Sequence, residues 1–161
     1  MKTIFLIGVS GSGKTSVGLE LAKRTGREFR DGDDFHSAEN REKMASGEPL
    51  VDADREPWLI SINQYCKKFQ GNVVACSALK AKYRNVLRQG CSCCFVHLNV
   101  NRETLENRLK NRENHFMPCS LLNSQFEAWE DTKDEPDVIT VDCTDYNVFD
   151  VADRIIQTLQ E

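Results

Sequence analysis

Eight residues near the start of the chain, Gly8-Val9-Ser10-Gly11-Ser12-Gly13-Lys14-Thr15, have the types and spacing of a loop that wraps phosphate. Gly8, Gly11 and Gly13 allow backbone angles and close approaches that a Cβ would obstruct. Their N–H groups, with the positive end of a following helix, can face phosphate oxygens. In that arrangement Lys14 reaches the β- and γ-phosphates of a nucleoside triphosphate, and the Thr15 hydroxyl ligates Mg²⁺. Ser10, Ser12 and Ser16 lie within or beside the same cradle. Out of context such a stretch could be a glycine loop of no consequence. The apolar run at 3–7 and the amphipathic stretch at 15–24 supply the strand and helix that a phosphate loop needs.

Three further polar groups follow later strands. Asp31 and Asp33, in Asp31-Gly32-Asp33-Asp34-Phe35-His36, are two apart and can face the same way at an extended strand end. A kinase needs one carboxylate to orient an acceptor hydroxyl and take its proton, and another near Mg²⁺. Taken alone, the stretch is better read as a solvated acidic turn. Lys80 and Arg84 stand at i, i+4 on one helix face, where two cations oppose the macrodipole unless an anion sits between them. Taken alone, they fit a basic surface helix equally well. Arg108 and Arg112 repeat the spacing at a helix end before Glu113-Asn114-His115-Phe116. They suit adenine stacking and phosphate bridging from a lid, or simply a favourable C-terminal charge. No Asp closes the third apolar run, so the metal role falls to Thr15 and, through water, Asp31. The guanine-reading tetrad N-K-x-D is absent, which argues against a GTPase of the Ras type.

These groups need a scaffold that gathers them at one end. Apolar runs at 3–7, 28–31, 72–76, 93–98 and 138–142 read as five strands. Between and after them, helices are expected at 15–24, 37–46, 58–69, 78–88, 102–112, 120–129 and 148–159. This alternation predicts an α/β domain, a parallel sheet covered by helices on both faces, with ligands beyond the carboxyl ends of the strands. The 161 residues fit one domain. A net charge of −4 implies no broad basic surface, so nucleic acid is not expected as a partner. No apolar run approaches the ~20 residues of a membrane span. The first strand begins too early to leave room for a signal peptide, and a cytoplasmic enzyme is expected. Seven cysteines, an odd number without zinc spacing, read as small buried hydrophobes rather than a disulfide or metal framework.

At this point the residues resemble the gluconokinase family over nearly the whole chain. Gly8 to Lys14 is similar to that family's phosphate loop. More specific is the block running from Asp31, Asp33 and His36 through Asn40, Lys43-Met44, Gly47, Pro49-Leu50, Asp52, Asp54-Arg55 and Pro57-Trp58-Leu59. Ala75-Cys76-Ser77-Ala78-Leu79-Lys80 with Tyr83-Arg84, the stretch from Arg108 to His115-Phe116, and Ser124-Gln125-Phe126-Glu127 resemble further family blocks. Ser37, Asn85, Asn114 and Ala128-Trp129-Glu130 depart from it. The resemblance implies a three-layer α/β/α P-loop kinase, nucleoside-monophosphate-kinase-like and related to shikimate kinase. It implies a five-stranded parallel sheet, a substrate-binding helical region about 34–70 and a lid about 112–125. The implied activity is transfer from Mg·ATP to the 6-hydroxyl of D-gluconate, by a homodimer. Residue by residue, it implies Asp33, Lys14 and Arg112 as the catalytic set. ATP falls to Gly8, Ser10, Gly11, Ser12, Gly13, Lys14, Thr15, Ser16, Arg108 and Arg112, and Mg²⁺ to Thr15 and Asp31. The sugar acid falls to Asp33, His36, Lys43, Arg55, Ser77, Lys80, Arg84 and His115. Another hydroxy acid, such as shikimate, fits the middle blocks less well, and a regulatory ATP-binding module would not need the catalytic set.

Overall fold

Alternation of side chains along the first strand sets up two cores. In the computed structural model, which describes residues 1–111 and 119–160, Ile4 and Leu6 of β1 (Thr3–Ile7) point to one side of the sheet and Phe5 and Ile7 to the other. All of β1 is buried, as a central parallel strand covered on both faces must be. It lies between β3 (Val73–Ala75) and β4 (Cys93–Asn99), with β2 (Phe29–Asp31) and β5 (Val138–Asp142) at the edges. The order is β2-β3-β1-β4-β5 and every pairing is parallel. Phe5 pairs with Phe95 across β1 and β4, and their rings stack at 5.2 Å. Neither ring is exposed to solvent, and such burial contributes about 1.5–3 kcal/mol per side chain.

Helices cover both faces. On the first, α1 (Lys14–Thr25) contributes Val17 and Leu21, α5 (Arg102–Lys110) Leu105, α6 (Cys119–Ala128) Leu122, and α7 (Val148–Gln160) Val151 and Ile155. On the second, α3 (Asp52–Lys68) contributes Leu59 and Ile62, and α4 (Ala81–Arg88) Leu87. Helix α2 (Ala38–Ala45) is capped by the Ser37 hydroxyl, which accepts from the Asn40 N–H. This is the three-layer architecture expected from the alternation of runs.

Two helix starts differ from the expectation. Helix α3 begins at Asp52, six residues before the expected position, and runs through Pro57. Asp54 supports the earlier start by accepting the Val51 N–H at 3.0 Å, while Pro57 leaves one intrahelical bond unmade. Helix α4 begins at Ala81, three residues later than expected, because Ala78 takes a left-handed conformation (φ 41°) that breaks the helix there. The lid expected at 112–125 falls partly outside the described residues, and 119–125 belong to α6. No helix among the described residues is long and apolar enough to cross a membrane. Cys66, Cys76, Cys91, Cys93, Cys94 and Cys143 are free thiols, and burial pushes those of Cys66, Cys76 and Cys93 up to about 12.

Candidate functional site

The loop between β1 and α1 is built for an anion. Gly8, Gly11 and Gly13 have φ of 143°, 81° and 95°, values that L side chains rarely adopt. At Gly8 a Cβ would also sit 3.0 Å from the Leu98 carbonyl oxygen. Lys14 Nζ donates to the Gly8 and Val9 carbonyls at 2.9 and 3.0 Å, so the ammonium lies across the loop. The Ser12 hydroxyl is buried in the loop and has no partner among the described residues, an arrangement that costs free energy unless a ligand supplies one. Beside the loop lies a cleft of about 330 Å³, lined by Gly11, Gly13, Ser16, Arg108, Cys143 and Tyr146. Arg108 is held at its rim by the carbonyls of Gly11 (3.1 Å) and Cys143 (3.3 Å).

Across from this loop, β2 ends in the acidic turn. Asp31 caps a short 3₁₀ helix (Gly32–Phe35): one carboxylate oxygen accepts the Asp33 N–H at 3.0 Å, and the other accepts the Thr15 hydroxyl at 3.3 Å. One side chain therefore fixes the acidic turn and joins it to the phosphate loop. The Asp33 carboxylate is 83% exposed and open to an incoming molecule. Partial desolvation there and the Asp31 charge raise its pKa above the ordinary value, while Lys14 opposes the shift.

The turn is buttressed from behind. His36 stacks on Trp58 at 4.3 Å, with Nε2 4.0 Å from Asp33 and Nδ1 3.3 Å from the Asn40 amide. Burial, with Arg41 and Arg55 nearby, lowers the His36 pKa and favours its neutral form. Trp58 Nε1 donates to the Gly32 carbonyl at 2.6 Å. Beyond Asp33, Asp52 accepts hydrogen bonds from Lys82 and Tyr83 and lies 3.6 Å from Lys80. Arg55 lies over the Tyr83 ring and donates to the Leu50 carbonyl at 2.7 Å.

Comparisons with known proteins decide the family. The shikimate kinase family model matches residues 10–160. The chain is 45% identical over 148 residues to the gluconokinase of Gluconobacter oxydans (strain 621H), covering 88% of this chain and 83% of that protein. The chain belongs to the gluconokinase family. Solved structures agree. A gluconokinase from Sinorhizobium meliloti 1021 superposes with a TM-score of 0.86 at 38% identity, over 99% of this chain and 95% of that one. A sugar kinase from Janibacter sp. HTCC2649 gives a TM-score of 0.91, also at 38% identity and with the same coverage.

Within this gluconokinase-family chain, the site residues expected from sequence fall into several groups. Gly8 to Ser16 form the loop, Arg108 borders its cleft, and Asp31, carrying the Asp33 turn, is tied to the loop through Thr15. Ser77 is also there, since its carbonyl accepts the Gly8 N–H at 3.2 Å. His36 lies beside Asp33, Arg55 and Lys80 lie over the Tyr83 ring, and Lys43 is bound to Asp54 at 3.1 Å. Arg112 and His115 lie outside the described residues. Arg84 requires a correction. It has no exposed surface, and all five of its donors are used within the protein. Nε and Nη2 hold Glu135, Nη2 also reaches the Glu130 carbonyl, and Nη1 holds the carbonyls of Ala78 and Leu79. Lys80 and Arg84 therefore do not share a cationic face. The helix that would have aligned them starts after Lys80, which turns toward Asp52 while Arg84 turns inward.

Sequence reasoning also passed over several positioning residues. Arg41 donates to the carbonyls of Asp33, Asp34 and His36, and so clamps the acidic turn. Its side-chain type carried no signal, since it lies in a polar helix among other charges. Gln125 reaches Ser10 across 115 positions, and only the resemblance marked it. Gly32 has a steric role. A Cβ there would lie 2.6 Å from the Ala75 carbonyl oxygen, so Gly32→Ala must push the turn off β3. A displacement near 1 Å should reduce kcat by ~10²-fold. Steady-state kinetics on a variant with an intact circular dichroism spectrum checks this, and a kcat near wild type would show that the turn tolerates the shift.

Proposed function

We propose that this chain transfers the γ-phosphoryl group of ATP to the 6-hydroxyl of D-gluconate, giving 6-phospho-D-gluconate and ADP. The observation that carries the reading is the Thr15–Asp31 hydrogen bond, which sets the acidic turn and its open Asp33 carboxylate opposite the phosphate loop, in a chain of this family.

In this reading the phosphate chain lies on loop N–H groups between Ser10 and Ser16, with Lys14 released from its carbonyls to the β- and γ-phosphates. The adenine occupies the cleft against Arg108. Asp33 accepts a hydrogen bond from the 6-hydroxyl and takes its proton as the oxygen bonds to γ-phosphorus and the bond to the β–γ bridging oxygen breaks. His36, neutral, hydrogen-bonds a sugar hydroxyl, and Lys80 and Arg55 attract the carboxylate. Lys43 holds Asp54, and so the start of α3, beneath them. Arg112 and His115 are proposed for the transferring phosphate and the sugar acid, as the resemblance implies. The oxygen donors Thr15 and Asp31 suit Mg²⁺, which favours one or two protein oxygens together with substrate phosphates. When bound, it neutralises phosphate charge.

The decisive assay offers purified protein Mg·ATP with gluconate, shikimate and other sugar acids, and follows ADP release. Gluconate-dependent turnover is the expected result. Its absence would overturn the reading, and turnover on shikimate instead would reassign the acceptor. The pH profile adds a second test. Protonated Asp33 cannot serve as base, and its pKa is raised above 3.8 in the folded protein. Activity should therefore be full above that raised value and fall as pH drops through it. The acid limb of kcat/KM for gluconate should lie above the ordinary aspartate range, and a limb at an unperturbed carboxylate value would remove Asp33 from this role.

A further inference from the structure

We propose that Gln125 is a γ-phosphate sensor, whose side-chain amide occupies the third residue of the phosphate loop until ATP displaces it. The inference rests on the ATP reading above and goes beyond it. Gln125 Oε1 accepts the Ser10 N–H at 2.6 Å, and Gln125 Nε2 donates to the Ser10 hydroxyl at 3.0 Å. A neutral amide oxygen thus holds a loop N–H of the kind that faces phosphate in such cradles.

The location identifies which phosphate is sensed. The cleft beside the loop is lined by Gly11, Ser12, Gly13 and Ser16, which places the base end of a nucleotide on that side. Ser10 is not among the residues lining that cleft and stands toward Gly8, whose N–H is bound to the Ser77 carbonyl just after β3. With the base in the cleft, the far end of a triphosphate, and not of a diphosphate, would come to Ser10. A phosphate oxygen carries charge, and hydrogen bonds to charged acceptors are about twice as strong as those to neutral ones. The γ-phosphate therefore displaces the amide, whereas ADP leaves it in place. Helix α6 is anchored independently of these two bonds. Leu122 is buried in the core, and the Arg102 guanidinium lies 4.6 Å from the Phe126 ring centroid. Release of Gln125 thus signals the triphosphate to α6 without unfolding it.

The test is calorimetric binding, without gluconate, of Mg·ADP and of a non-hydrolysable Mg·ATP analogue to the wild type, Gln125→Ala and Gln125→Glu. Gln125→Ala removes the competitor, so the triphosphate should bind about 2- to 10-fold tighter, the worth of one ordinary hydrogen bond, with ADP unchanged. Gln125→Glu keeps an acceptor but adds a negative charge, and should weaken the triphosphate more than ADP. A role confined to anchoring α6 would move both nucleotides together, so an unchanged ratio in both variants overturns the inference. Weaker triphosphate binding by Gln125→Ala also overturns it, because Gln125 would then be a ligand and not a competitor. A wild type that binds neither nucleotide would overturn the ATP reading and this inference with it. One that binds both with a ratio insensitive to Gln125 overturns the inference alone.

Discussion

Asp33→Asn should lower kcat by about 10²-fold or more while leaving the protein folded, because positioned general-base catalysis contributes roughly 10²- to 10⁴-fold. The amide keeps the size and polarity of the carboxylate but cannot take the acceptor proton. Little else is disturbed, since the side chain is open to solvent and His36, held neutral by its surroundings, is 4.0 Å away. The backbone N–H that orders the turn belongs to Asp33 but is held by Asp31, so the substitution leaves that bond intact. The loss should therefore appear in kcat, with KM for ATP near wild type. Steady-state kinetics with ADP detection reads both. A kcat within a few-fold of wild type would move the base elsewhere, and a large rise in KM for ATP would show that the acidic turn serves the nucleotide instead.

Arg84→Ala should reduce stability by about 3–5 kcal/mol, the usual result of breaking a buried ion pair from one side. Three carbonyls, those of Ala78, Leu79 and Glu130, would lose their guanidinium donors, and among the described residues Glu135 would keep Arg88 at 2.7 Å as its cationic partner. Burial alone would raise the Glu135 pKa, but Arg84 and Arg88 together hold it below the ordinary value. A lowered folded pKa means that its stabilising contribution is present above the unfolded value near 4.5 and is lost as pH falls through the folded one. The gap between wild type and variant should accordingly narrow in acid. Arg84→Lys retains charge without the planar fork and should lie between the two. Urea denaturation at pH 7 and pH 3.5 measures these differences. The contrary result is unchanged stability with a large rise in KM for gluconate, which would return Arg84 to the substrate. Because Arg84 ties the turn at Ala78 to the segment after α6, its removal should also disturb Lys80 indirectly.

The anion cradle was legible because its chemistry is local. Three glycines, a lysine and a threonine within eight positions, between an apolar run and an amphipathic one, leave few other structures open. The sheet was legible for the same reason, since five apolar runs separated by helical stretches can be buried on both faces only as a parallel sheet. Asp31 and Asp33 were identifiable as a pair, and Asp31 was grouped with Thr15 from sequence. What sequence did not show is how they are joined, with Thr15, sixteen residues away, reaching one Asp31 oxygen while the Asp33 N–H takes the other.

Arg84 shows where sequence reasoning ended. The i, i+4 spacing to Lys80 was real, but a shared face exists only if one helix carries both residues. The left-handed Ala78 delayed that helix, and the interior offered Arg84 a carboxylate and three carbonyls that no local pattern announces. Gln125 and Arg41 were hidden by the same physics. Hydrogen bonds formed by packing depend on which elements the fold brings together, and an ordinary polar side chain on a helix gives no sign of its partner. The sequence by itself determined the phosphate chemistry and the layers of the fold, because both arise from contacts between near neighbours and from hydrophobic period. Only the tertiary structure decided which charged groups face the cleft and which are spent holding it, because burial and long-range partners exist only once the chain has closed.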